Sequence, residues 1–201
     1  MRLAGPTELL PIDHDQGIPL LRLDMQGSIE HPVTPWGSVG RSSKMVGTWV
    51  YYVDDYRFSA LEPSPLQLLA TDCKCCVELN YSLFPSSPYA WALWCTWRKR
   101  SVARQWQDAG IPVIVDLCVP ERYTEMNLLG VPVGWTSYAT RGYAGREDDL
   151  EADCATARLH GGPDAMVAVY GGGKRIKTAC QSIQNAVYIE QFADTRHRVE
   201  P

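Results

Sequence analysis

The sequence predicts an α/β fold: alternating strand and helix units around a mostly parallel sheet, curled into an incomplete or distorted β/α barrel. Three observations predict it. Short β-branched and aromatic runs recur along the chain, each ends in polar residues, and each is followed by a segment with helical periodicity or helix-start residues. Six expected strands fall short of the eight of a full barrel, so an open doubly wound sheet satisfies the same count. Polar tips after nearly every strand favour the barrel, where they would converge in a ring.

Taken in order, residues 1–46 form an arm rich in turn formers (Pro6, Pro11, Gly17, Pro19, Gly27, Pro32, Pro35, Gly37), a density that forbids long helices and central strands. Within it, Ile18–Leu23 is a short apolar piece suited to packing as an edge segment, and the rest is expected to be irregular. Residues 47–201 are expected to form a single α/β domain. It opens with a strand over Thr48–Val53, followed by a short helix over Leu61–Ala70 with Pro63 and Pro65 in its first turn, where a missing amide costs nothing. Cys75–Leu79 is the second strand. Pro88–Ala109 is the longest helix, stopped by Gly110.

Ile111–Leu117, apolar except for Asp116, fits a strand covered on both faces. A turn or short helix over Glu121–Leu128 leads to an expected strand at Val131–Thr136. Arg146–Leu159 carries Glu147, Asp148, Asp149 and Glu151 in its first turns, where the helix dipole favours negative charge. Met166–Tyr170 is a strand, Gly173–Ile183 a helix, and Ala186–Glu190 the last strand.

Composition bounds the function. With 201 residues, 45% of them hydrophobic and 21% charged, the chain supports one core, and its net charge of −4 gives it no global basic field for non-specific nucleic-acid binding. Seven cysteines, an odd count without regular spacing, point to a reducing compartment. Met1–Pro6 lacks a basic segment followed by an apolar one, and no stretch approaches the roughly 18 apolar residues of a spanning helix. A soluble, cytoplasmic protein without membrane partners is therefore expected.

The strand ends collect the candidate site. Asp54, Asp55 and Asp116 are the candidate acid, base or metal-coordinating groups, and neighbouring Asp54 and Asp55 point to opposite faces, so one of them is expected to cap a turn or pair with Arg57. Arg57, Asn80, Ser82, Tyr138, Tyr170, Gly171, Gly172 and Lys174 are the candidate ligand-binding residues. In Tyr170-Gly171-Gly172-Gly173-Lys174-Arg175 the glycines let backbone amides approach an anion at a helix start and Lys174 neutralises it. The run is not a Walker loop, because Ala168 stands where its first glycine belongs and Arg175 replaces the Ser or Thr.

A helical wheel of residues 88–109 gathers Trp91, Trp94, Cys95, Val102, Trp106 and Ala109 in one core-facing stripe about 120° wide, with Arg98 inside it and in need of a partner. The opposite face carries Trp97, Arg100 and Arg104, which suit base stacking and phosphate pairing or simply a solvated surface. Asp72-Cys73-Lys74-Cys75-Cys76 lacks the second ligand pair of a zinc site, and His31, His160 and His197 are isolated, so neither a metal nor a cofactor is assigned.

Several of these segments, read together, carry a family resemblance. Val53-Asp54-Asp55-Tyr56-Arg57-Phe58, then Asn80-Tyr81-Ser82-Leu83-Phe84, then Trp94, Arg98, Arg100 and Trp106-Gln107, then Gly110-Ile111-Pro112-Val113-Ile114 and Val169-Tyr170-Gly171 look like an uncharacterised family of bacteria, their phages and plasmids, domain of unknown function 4417, over roughly residues 48–175. The family's Pro-Asp-Phe-Ser corresponds here to Glu78-Leu79-Asn80-Tyr81-Ser82, so the carboxylate it carries is shifted or replaced by Asn80. The resemblance implies a phage or mobile-element origin and does not decide the function.

The residues themselves suggest three functions: binding, with or without hydrolysis, of an anionic small molecule or nucleotide at the strand ends; nucleic-acid association through Trp97, Arg100 and Arg104; or non-catalytic binding of a host or virion component through the arm. Whether the chain is an enzyme is left open at this level.

Overall fold

The computed structural model describes residues 10–37 and 46–191. Seven parallel strands form one curled half-barrel sheet whose spatial order is the chain order, β1 to β7, with helices between them. The strands are β1 (Val33–Pro35), β2 (Val46–Val50), β3 (Asp72–Val77), β4 (Val113–Asp116), β5 (Ser137–Arg141), β6 (Met166–Tyr170) and β7 (Ala186–Ile189). The α-helices are α1 (Tyr89–Asp108), α2 (Thr124–Asn127), α3 (Glu147–Gly161) and α4 (Gly173–Ser182).

Strand alternation divides the apolar residues into two clusters. On the concave face lie Val50, Tyr52, Cys75, Val77, Ile114, Ala139, Ala168, Tyr170 and Ile189. The convex face, covered by the helices, holds Trp49, Tyr51, Cys76, Val113, Val115, Tyr138, Val167 and Val169 together with Trp106, Leu150 and Ile176. Tyr51 stacks on Trp106 with ring centroids 5.5 Å apart, fastening α1 to β2. β4 is buried along its whole length, as its apolar run requires.

Three elements differ from the sequence reading. Val131–Thr136 is not a strand: Pro132 and Gly134 break it into turns, and the paired strand is the next segment, Ser137–Arg141. Leu61–Ala70 is not an α-helix but part of two 3₁₀ segments, Ser59–Leu61 and Pro65–Ala70. β1 arises in the proline-rich arm, where only one side of the strand is paired, so Pro35 removes no ladder bond.

The described part of the arm packs across the amino-terminal ends of the strands. The Gln107 side chain, fully buried, accepts from the Arg22 N–H at 2.7 Å and donates to the carbonyls of Arg22 and Met25, both at 3.0 Å. Gly27 donates its N–H to Val113, and its α-carbon lies so close to β3 that an added Cβ would be 2.2 Å from the Cys75 sulfur.

Helix α1 is rotated from its expected orientation. Its buried face is Ala92, Cys95, Thr96, Lys99, Val102, Ala103 and Trp106, while Trp91 and Trp94 are 45% and 40% exposed. The wheel assumed one contact face, whereas α1 meets the sheet on one side and residues 127–129 on another. Arg100, expected on a solvent-facing surface, is consequently fully buried. Arg98 finds its partner in Glu62 rather than in a strand-end carboxylate.

Candidate functional site

The carboxyl ends of β3 and β4 hold a buried charge cluster. Two carboxylates, Glu78 and Asp116, and two cations, Lys99 and Arg100, are all at most 3% exposed. Arg100 pairs with Glu78 and donates to the carbonyls of Asn127 and Leu129. Lys99 Nζ lies 3.4 Å from Asp116 Oδ2 and 4.0 Å from Glu78 Oε2. Charges withdrawn from water persist only when paired and hydrogen-bonded, and here they cancel.

Asp116 is the hub. Its Oδ1 accepts from the Tyr52 hydroxyl at 3.1 Å and the Cys118 N–H at 3.0 Å, and its Oδ2 accepts from Asn80 Nδ2 at 3.0 Å. The Asn127 amide donates to its backbone carbonyl at 2.8 Å. Burial first, and the Asp116 charge second, push the Tyr52 phenol well above its ordinary range, so it stays a donor. A carboxylate with four donors around it anchors the strand ends, and its lone pairs are committed.

The other acidic candidates lie apart from this hub. Asp55 accepts from the Ser82 N–H at 3.2 Å and the Ser82 hydroxyl at 2.9 Å, tying the end of β2 to the chain after β3. Asp54 is exposed and faces Arg57 Nε at 3.7 Å. Tyr138 is the second residue of β5 instead of following a strand, and its hydroxyl meets His160 Nδ1 at 2.9 Å on the convex face, away from the strand carboxyl ends. Arg104 is paired with Asp108 at 3.0 Å, and Trp97 stacks on Trp94 at 5.0 Å, so Trp97, Arg100 and Arg104 share no open surface.

Across the mouth, the ends of β5 and β6 meet. Tyr170 is the register partner of Arg141 and stacks on Tyr52 at 5.9 Å. Gly142 N–H donates to the Tyr170 carbonyl at 3.0 Å, and the two following turns touch backbone to backbone: a Cβ on Gly142 would stand 2.4 Å from the Gly171 oxygen, and one on Gly172 2.7 Å from the Gly142 carbonyl carbon. Gly172, in the left-handed region at φ 91°, is the N-cap of α4, whose second residue is Lys174.

Arg141 falls on the same face as Ala139 by strand alternation and is exposed, with no carboxylate in ion-pair range among the described residues. Beneath it, buried Arg146 donates to Thr140 Oγ1 at 2.7 Å and the Arg141 carbonyl at 2.8 Å, and pairs with Asp153 at 3.0 Å. Burial pushes the Asp153 carboxyl up to about 6, against the pull of Arg146 and Thr140.

The sequence reading singled out neither Glu78, Lys99 and Tyr52 nor Arg141 and Arg146 as site residues. A signal for Arg141 exists: Arg141-Gly142 closes its strand as Tyr170-Gly171 closes the next. Among the described residues no group of three His, Cys, Asp or Glu is placed to hold a metal, and no helix is long and apolar enough to cross a membrane.

Fold and site define a parallel α/β half-barrel with a polar mouth at its strand carboxyl ends. The chain belongs to the family described as Domain of unknown function (DUF4417), whose sequence profile matches residues 10–149. That match begins inside the arm, includes Asp116, Arg141 and Gly142, and stops before the glycine run. The chain is similar to the Gene 1 protein of Mycobacterium phage L5, 31% identical over 99 residues, which cover 47% of this chain and 43% of that protein. It is also similar to the Gene 1 protein of Mycobacterium phage D29, 31% identical over 94 residues, covering 45% and 34%. Each match spans less than half of the phage protein. No solved structure matches.

Proposed function

We propose that this phage-related protein binds a phosphate-bearing anion, such as a nucleotide, where β5 and β6 end and α4 begins. The observation that carries the reading is the place of Arg141: it ends β5 exposed at the mouth with no carboxylate partner among the described residues, whereas the neighbouring strand-end arginines Arg57 and Arg146 are each paired with one. Exposed Lys174 and the first amides of α4, opened by Gly172, support it from the next strand. The Tyr52–Tyr170 pair offers an apolar wall beside these donors.

The reading is one of binding rather than hydrolysis. Asp116 has no free lone pair, Asp55 holds Ser82, and exposed Asp54 faces Arg57, so each of the three carboxylates already has a partner. Calorimetric titration with inorganic phosphate and with ADP tests the proposal. Arg141→Ala, an exposed substitution, is expected to weaken binding about tenfold or more, the scale of one charge-assisted hydrogen bond. Equal affinity in wild type and Arg141→Ala, or no binding of either probe at low salt, would refute it.

A further inference from the structure

The cysteine-rich run at β3 is not part of the mouth, and its geometry has a chemistry of its own. Gly47 pairs with Cys73 and Thr48 with Cys75, so Lys74 is an extra residue bulged out of the ladder. The bulge resets the alternation. Cys75 turns to the concave face, against Gly27, while Cys73 and Cys76 both join the convex cluster. Their sulfurs lie 3.4 Å apart, in van der Waals contact, and both are free thiols. A disulfide needs about 2.05 Å, so closure requires an approach of roughly 1.4 Å, within reach of side-chain rotation and a small shift at the bulge.

We propose that Cys73 and Cys76 are a redox-responsive dithiol that closes to an intrachain disulfide by exchange with a low-molecular-weight disulfide. Cys73 is the entry sulfur, since it is 8% exposed and Cys76 is fully buried. The Cys73 thiolate attacks one sulfur of the small disulfide, forming a mixed disulfide and expelling one thiolate, which takes up the proton Cys73 lost. Cys76, deprotonated in turn, attacks the Cys73 sulfur, forms the Cys73–Cys76 bond and expels the second thiolate, which takes the Cys76 proton. Two electrons and two protons leave the protein, and the small disulfide becomes two thiols. Cys76 carries the Tyr51 hydroxyl at 3.8 Å, so the new bond forms at the foot of the Tyr51–Trp106 stack.

The test incubates the folded full chain in graded ratios of glutathione disulfide to glutathione, quenches with acid, alkylates, digests and reads peptide masses. The expected result is a peptide containing Cys73 and Cys76 that has lost two hydrogens and resists alkylation until reduced. In Cys76→Ser the glutathione adduct on Cys73 is expected to persist unresolved. Alkylation of both thiols at every ratio, pairing through Cys75 instead, or a Cys76→Ser protein that folds and carries no adduct on Cys73 would each overturn the proposal. The wild-type experiment needs no variant, so misfolding of Cys76→Ser leaves it intact.

Discussion

Replacing Glu78 by glutamine removes one charge from a cluster that sums to zero and leaves its shape almost unchanged. Glu78 is fully buried; one oxygen takes Arg100 and the other the Asp116 N–H at 3.2 Å, with Lys99 4.0 Å away. Glutamine leaves two cations against one carboxylate and sets an amide NH2 where an acceptor stood. Removing one partner of a buried pair costs about 3–5 kcal/mol. In a chain of this length each kcal/mol moves Tm by about 2–4 °C, so Glu78→Gln is expected to lower Tm by roughly 6–20 °C.

Thermal and urea unfolding followed by circular dichroism measure the loss. Glu78→Leu combined with Arg100→Leu deletes both charges of the pair and is expected to cost less than the two single changes added together, although it strands the Asn127 and Leu129 carbonyls. A loss below about 1 kcal/mol for Glu78→Gln, the range of exposed ion pairs, would refute the claim that this cluster holds the mouth together.

Other outcomes follow from the same contacts. Asp153 takes its proton near pH 6 in the folded chain against an ordinary value of 3.8, so the folded state binds more protons in between and stability falls as pH rises from about 4 to about 6. Asp153→Asn is expected to flatten that part of the curve, read by urea midpoints at stepped pH. Gly142→Ala, whose Cβ meets the Gly171 oxygen, is expected to cost about 1–3 kcal/mol by thermal unfolding and to weaken anion binding, because backbone cannot yield as a side chain does. Gln107→Leu strands three backbone groups of residues 22–25, so tryptic cleavage after Arg22 is expected to accelerate at least several-fold while the sheet remains folded.

The strand and helix series was legible wherever a run of one periodicity was unbroken, as in Met166–Tyr170 and the helices from Tyr89, Glu147 and Gly173. β5 was not, because Val131, Val133 and Trp135 mimic an alternating strand while Ser137 and Arg141 give the real one polar ends. That one shift hides Arg141, by placing Tyr138 at the tip of a strand when it lies near the start of the next. β1 escaped notice because prolines argue against central strands and say little about an edge. Periodicity alone puts Arg100 on the solvent side because it reports one apolar stripe, and a helix clasped on two sides buries polar residues that bond to carbonyls arriving from elsewhere. Asp116 was found by its place in an apolar run, but its four donors come from residues up to 64 positions away, which no local pattern contains.

Because spatial order in the sheet equals order along the chain, each strand leaves the ribosome just after the neighbour on which it docks, and the sheet can grow in the direction of synthesis. The part of the arm before β1 is the exception. Arg22 waits 85 residues for Gln107, and Gln26 waits 110 for Thr136. At about 5–20 residues per second that delay is on the order of 4–20 s. The first described segment of this protein is thus among the last to be fastened, and during that interval the amino-terminal ends of the early strands stand uncovered.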